Sequence, residues 1–166
     1  MVAVRPERAG DEPAIRALHE AAFQRPQEAG LVDALRTAGA HVVSLVAEDE
    51  GAVVGHVLFS PVDVEVGDGG VGLGPIAVRP DRQGDGLGAL LVRRGLTECR
   101  ARGHELVVVL GEPGFYRRFG FVPASAHALR CEYDAPDDAF MVLELVPGTL
   151  ASRRGLVRYR PEFAET

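Results

Sequence analysis

At 166 residues and 46% hydrophobic side chains, the chain can bury a core without a metal or disulfide staple, which predicts one domain over residues 1–166. Its formal net charge of −6 argues against general binding to nucleic acid or an anionic membrane, which depends on clustered Lys and Arg, though not against a local site for one anionic ligand. No run approaches the ~20 apolar residues that span a bilayer.

The N-terminal MVAVRPERAGDEP lacks the apolar segment of a signal peptide. Residues 2–5 read as a short strand. GDEPAIRALHEAAF follows with a helix start signal, Asp11 as N-cap and Pro13 in the first turn. Residues 28–38 read as a second helix ending at Gly39. HVVSLVAE (41–48) is a strand, and AVVGHVLFSPVDVEV (52–66) a long one bent at Pro61. GDGG (67–70) turns the chain into VGLGPIAV (71–78). A helix from about Gly86 to Arg102 precedes ELVVVL (105–110), a continuous apolar run expected to be covered on both faces. PGFYRRF (113–119) reads as a short helix stopped by Gly120, and ALRCEY (128–133) and AFMVLELV (139–146) as the last strands. This order predicts an α/β fold with a mixed, mostly antiparallel sheet of about seven strands and about four helices. Cys99 and Cys131 form no CxxC and have no His at metal-ligand spacing. They suit packing positions in a reduced, cytoplasmic protein.

Gly84, Gly86 and Gly88 alternate in RPDRQGDGLGALL (79–91), where a helix begins. Bare backbone lets a ligand approach closely, and N–H groups at a helix start form a positive concavity suited to phosphate. No GK[ST] follows, so this is not a Walker A loop. The run from Gly84 to Ala89 also fits G-x-G-x-x-[GA], the dinucleotide fingerprint. That loop, however, should follow its strand at once, with an acidic residue ending the next strand; here Arg79–Gln83 intervene and Leu110-Gly111 ends it. The competing pattern is [Q/R]-x-x-G-x-[G/A], met by Gln83, Gly86 and Gly88. Gly74 and Pro75 interrupt an otherwise convincing strand, which predicts a bulge that parts it from ELVVVL. The backbone of Ile76, Ala77 and Val78 would then be free for a ligand with amide groups.

With GPIAVRPDRQGDGLGALL and VVVLGEPGFYRRFGFVPAS in place, the chain resembles the GNAT superfamily of acetyl-CoA-dependent N-acetyltransferases. These segments lie within residues 71–125; the ending, FMVLEL and GLVRYRPEF, is similar to a bacterial branch of predicted N-acetyltransferases. The resemblance implies a sheet splayed between its fourth and fifth strands, with acetyl-CoA in the opening. The coenzyme's pyrophosphate would rest on main-chain N–H groups of Gln83, Gly84, Asp85, Gly86, Leu87, Gly88 and Ala89. Its pantetheine would pair with Ile76, Ala77 and Val78. Asp85 stands where the family often carries Lys or Arg, with Arg79 and Arg82 nearby to offset it.

The resemblance also places Tyr116, four residues before Gly120, near the thioester sulfur as general acid. A phenol of pKa near ~10 can hydrogen-bond or protonate a departing thiolate whose thiol has pKa near ~8.5. Phe115 and Phe119, four apart, share a helix face as core. His56, Asp63, Glu65 and Glu112 are the candidate bases for the incoming amine, with a water chain as an equal alternative. His56 alternates with Val57 and Phe59, which leaves one sheet face polar. Arg117 and Arg118 are candidates for the coenzyme's phosphates, and Asp134, Asp137 and Asp138 for attracting a cationic amine; solvated surface is the competing reading of both groups. The expected acceptor is a small-molecule or protein amine, and the expected state a monomer or homodimer. Two rivals stand beside this: a non-catalytic acyl-CoA-binding sensor, and a nucleotide-dependent oxidoreductase resting on the weaker glycine pattern.

Overall fold

A computed structural model describes residues 1–165. The described chain forms two compact units. One holds Met1–Ser60, Gly74–Glu98 and the residues from Pro161; the other holds Pro61–Leu73 and Cys99–Arg160.

In the first unit, β1 (Val2–Pro6) pairs antiparallel with β2 (Val43–Asp49), and β2 with β3 (Ala52–Val66). Helices α1 (Glu12–Phe23) and α2 (Gln27–Thr37) supply apolar side chains at helical spacing. Ile15, Leu31, Val32 and Leu35 pack with Val46 of β2 and Leu58 of β3. Burying each such side chain contributes about 1.5–3 kcal/mol. Asp11 departs from its expected role as a side-chain cap. Its backbone is helical and its carboxylate makes no cap bond. Instead it accepts from Arg5 at 2.8 and 3.0 Å and from the Arg8 N–H at 2.8 Å, tying the helix start to β1.

β3 changes partners at Pro61. Its ladder with β2 ends at Phe59, and from Asp63 it pairs antiparallel with β9 (Arg154–Arg158). Proline has no N–H for either ladder, so it fits at the handover. β4 (Gly70–Val78) pairs in parallel with β5 (Leu106–Leu110) over only Val71–Leu73 against Val107–Val109. The ladder stops at Gly74, whose φ of +138° suits glycine, and Pro75 follows without a donor. Four of the five β5 residues are buried, as the apolar run predicted.

β8 (Phe140–Glu144) runs antiparallel to β5 and carries β6 (Val122–Pro123) on its other edge. β7 (Leu129–Cys131) pairs in parallel with β9. The hydrogen-bonded order is β1-β2-β3-β4-β5-β8-β6, with β9 and β7 branching from β3. The second unit's core gathers Val62, Leu106, Val108, Leu129, Phe140, Val142 and Val157. The sheet is mixed, mostly antiparallel and open, with helices α1, α2, α3 (Leu87–Ala101) and α4 (Pro113–Tyr116). Among the described residues the expected seven or so strands number nine, through two short additions. β6 is two residues long, and β9 reads RGLVR, with charged ends that mask its single buried residue, Val157. The strand expected over 128–133 shortens to Leu129–Cys131.

Candidate active site

The first candidate region lies wholly in the first unit. Pro80–Arg82 make one 3₁₀ turn; Gln83–Gly86 then form an exposed loop that enters α3. Gly84 and Gly86 have φ of +87° and +83°, while a Cβ at either would meet nothing within 4 Å. Backbone conformation, rather than crowding, therefore demands glycine there. The Gly86 carbonyl accepts from Leu90 N–H at 3.1 Å, the first helical bond. The N–H groups just after it are among those a helix start leaves without intrahelical partners, at the positive end of the helix dipole. Leu87 and Ala89 bury their side chains, so only their main chain is available to a ligand.

Charge around this loop is balanced by short pairs. Arg82 donates to Asp49 at 2.9 Å and to Asp85 at 3.4 Å, and Arg79 donates to Asp81 at 2.6 Å. The Met1 amino group, then Arg82, hold the Asp49 carboxyl below the usual carboxylate range. Of the two arginines expected to offset Asp85, Arg82 reaches it while also holding Asp49, and Arg79 pairs with Asp81 instead. An anion seated here would rely chiefly on main-chain N–H groups.

The edge of β4 can be assigned by parity. Arg79 N–H donates to Val54 O of β3 at 2.8 Å. Successive residues of an extended strand turn their backbone groups to opposite edges, so Val78 and Ile76 face away from β3. Gln83 agrees with this, its Nε2 donating to Val78 O at 3.1 Å. Ala77 faces β3, and its carbonyl is 3.5 Å from an ideal Cβ at Gly55. Of the three residues expected on a free edge, Ile76 and Val78 have that orientation and Ala77 does not.

Tyr116 belongs to the second unit. It closes the single turn of α4, and a 3₁₀ turn over Arg117–Phe119 ends at Gly120. Its ring meets Phe115 edge-on at 4.9 Å and Phe121 at 5.7 Å between centroids. Tyr116 is 6% exposed and thus buried, whereas Phe115 and Phe119, expected in the core, are half-buried. Burial pushes its phenol up to about 12, so it stays protonated across the neutral range. Arg118 stacks over Phe115 at 4.6 Å and donates to the Phe115 carbonyl; Arg117 is exposed.

The candidate bases fall in different places. His56 is fully buried, and so are Val57 and Phe59, so the polar sheet face expected around His56 is instead packed. His56 Nε2 lies 2.8 Å from Ser44 Oγ, which donates to Glu7 at 2.6 Å, and His56 Nδ1 lies 2.8 Å from His19 Nε2. Spacing gave no sign of this network, because its members come from α1, β2, β3 and the segment after β1. Asp63 and Glu65 line a shallow groove of about 300 Å³ with Arg130 and Arg158. Glu65 is committed to the Leu156 N–H at 2.9 Å. Glu112 is exposed at the foot of α4, its carbonyl accepting from Phe115 and Tyr116. Asp134, Asp137 and Asp138 are exposed.

Among the described residues no helix is long and apolar enough to cross a membrane. The profile of the acetyltransferase (GNAT) domain matches residues 3–124. The Escherichia coli (strain K12) protein named Uncharacterized N-acetyltransferase YhbS is 43% identical over 155 residues, 92% of this chain and 93% of that protein. The crystal structure of E. coli YhbS, a GNAT family N-acetyltransferase in complex with CoA, aligns with a TM-score of 0.93 at 42% identity, covering 98% of this chain and 92% of that one. A GNAT family acetyltransferase from Brucella melitensis in complex with acetyl-CoA aligns at 0.82 and 40% identity, covering 98% of both. The chain belongs to the GNAT family and is an N-acetyltransferase.

Proposed function

We propose that the protein transfers the acetyl group of acetyl-CoA directly to a primary amine of a small molecule or a protein, working in the cytoplasm. The observation that carries this reading is the β4–β5 ladder, which ends at Leu73 just before a strand edge leading into the glycine loop. In this reading the pyrophosphate sits on main-chain N–H groups from Gln83 to Ala89, and the pantetheine amides pair with Ile76 and Val78. The Gln83–Val78 bond is no obstacle, because it is exposed and a carbonyl oxygen carries two lone pairs. CoA and acetyl-CoA in the E. coli and Brucella proteins support the same co-substrate.

The amine attacks the thioester carbonyl, the C–S bond breaks, and CoA leaves as a thiolate. Tyr116 is the acid for this departure. With its phenol near 12, full proton transfer to a free thiolate of pKa near ~8.5 is uphill by about 5 kcal/mol. Tyr116 therefore works mainly by donating a hydrogen bond to the developing negative sulfur, a charge-assisted contact that strengthens in the transition state. In this reading the amine loses its proton to water; His56 is tied into its own network and Glu65 to the Leu156 N–H.

An amine panel with acetyl-CoA, followed by thiol release, tests the proposal. Release that depends on one class of amine is expected. Tight CoA binding with no release across small amines, peptide N-termini and lysine peptides would leave a binding module instead.

A further inference from the structure

Tyr116 rests on a bare stretch of backbone. An ideal Cβ built on Gly111, just past the end of β5, would stand 2.5 Å from Tyr116 Cε2, 3.2 Å from Cδ2 and 3.5 Å from Cζ. Gly111 has no positive φ, so its backbone conformation accepts any L residue. What excludes a side chain there is the ring of Tyr116.

We propose that Gly111 is the positioning residue of Tyr116: the missing side chain is the seat that sets where the phenol points. The inference rests on the reading of Tyr116 as the acid. A carbon at 2.5 Å is far inside the ~3.5–4.0 Å at which carbon atoms pack, so a methyl at position 111 forces a shift of about 1 Å. The backbone of Gly111 cannot supply that shift. Its N–H donates to Ala139 O at 2.9 Å, continuing the β5–β8 ladder that pairs Leu110 with Phe140. Tyr116 is held more loosely, by one turn of helix and by edge contacts to Phe115 and Phe121. The ring moves, and the hydroxyl at its far end moves with it. A catalytic group misplaced by about 1 Å can lose on the order of 10²-fold in rate.

The test is a double-mutant cycle. Gly111→Ala is expected to lower kcat by about 10- to 100-fold with acetyl-CoA affinity within about twofold of the parent. It should also bring the Tyr116 phenol titration below its parental value near 12 as the displaced ring gains water. In a Tyr116→Phe background the same change should alter kcat by less than about twofold, since no hydroxyl remains to misplace. An equal loss in both backgrounds would overturn the role of Gly111, as would parental kcat in Gly111→Ala. Parental activity in Tyr116→Phe itself would instead remove the acid reading. If Gly111→Ala folds poorly, thermal melts of Gly111→Ala in a Tyr116→Val background decide the matter. The melting temperature should match that of Tyr116→Val, and a further fall there would contradict the contact.

Discussion

The role proposed for Tyr116 depends on burial as much as on position. Only desolvation shifts its phenol, and it does so upward, to about 12. Tyr116→Phe should therefore lower kcat by about 10²-fold or more while leaving acetyl-CoA affinity unchanged, a split read from steady-state rates and calorimetry. Subtracting the variant's ultraviolet titration from the parent's should isolate a single phenol near pH 12. A tyrosine titrating near 10 would mean that the ring is exposed. It was the family resemblance that singled Tyr116 out, and the run FYRRFG did not show that it is more buried than the phenylalanines beside it. Gly111 stayed illegible, because its meaning is a contact with a ring five residues on.

At the level of elements, a 3₁₀ turn, two left-handed glycines and a helix start make one loop, which Arg82 holds by bridging Asp49 and Asp85. Asp85 is well exposed and places negative charge where a pyrophosphate would lie. Asp85→Lys should tighten acetyl-CoA binding severalfold at low salt, with the gain fading toward 1 M salt as screening shortens to ~3 Å. Arg82→Ala should weaken binding with little change in kcat, because it frees the loop and leaves Asp85 uncompensated, while Asp49 keeps the Met1 amino group. Equilibrium titration checks both. The loop was legible because glycine and proline punctuate a chain strongly. So was the end of the β4–β5 ladder, which Gly74 and Pro75 announced. β9 was not legible, as a short strand flanked by arginines carries almost no alternation. His56 was misread because its alternation with Val57 and Phe59 looked like one polar face, when buried partners satisfy it instead.

For the molecule as a whole, those partners set a pH dependence. Burial first, then the charges of His56 and Arg36, depress His19 to about 3, and burial lowers His56 as well. Unfolded histidines take a proton near pH 6.5, and the folded ones refuse it. The unfolded state thus binds more protons as pH falls below ~6.5, and stability drops by up to about 1.4 kcal/mol per pH unit for each group. Burial would raise Glu7, but nearby His56, 3.7 Å away, and hydrogen bonds from Arg36 and Ser44 outweigh it and hold the carboxyl well below the usual range. Its contribution is present above the unfolded value of 4.5 and is lost as pH falls from there. Melting temperature should therefore decline from about pH 6.5, well before carboxylates titrate, and a His19→Gln variant should decline less steeply. A melting temperature flat down to pH 4.5 would show that these histidines are not buried as neutral groups.

Calorimetric titration of acetyl-CoA into the parent, Gly86→Glu and Gly103→Glu bears most directly on where the co-substrate sits. Both glycines have left-handed φ, +83° and +86°, so the two substitutions carry similar backbone strain, but Gly103 lies beyond the other end of α3. Saturable binding to the parent and to Gly103→Glu, with none to a folded Gly86→Glu, is the expected result. Equal affinity in all three would contradict it.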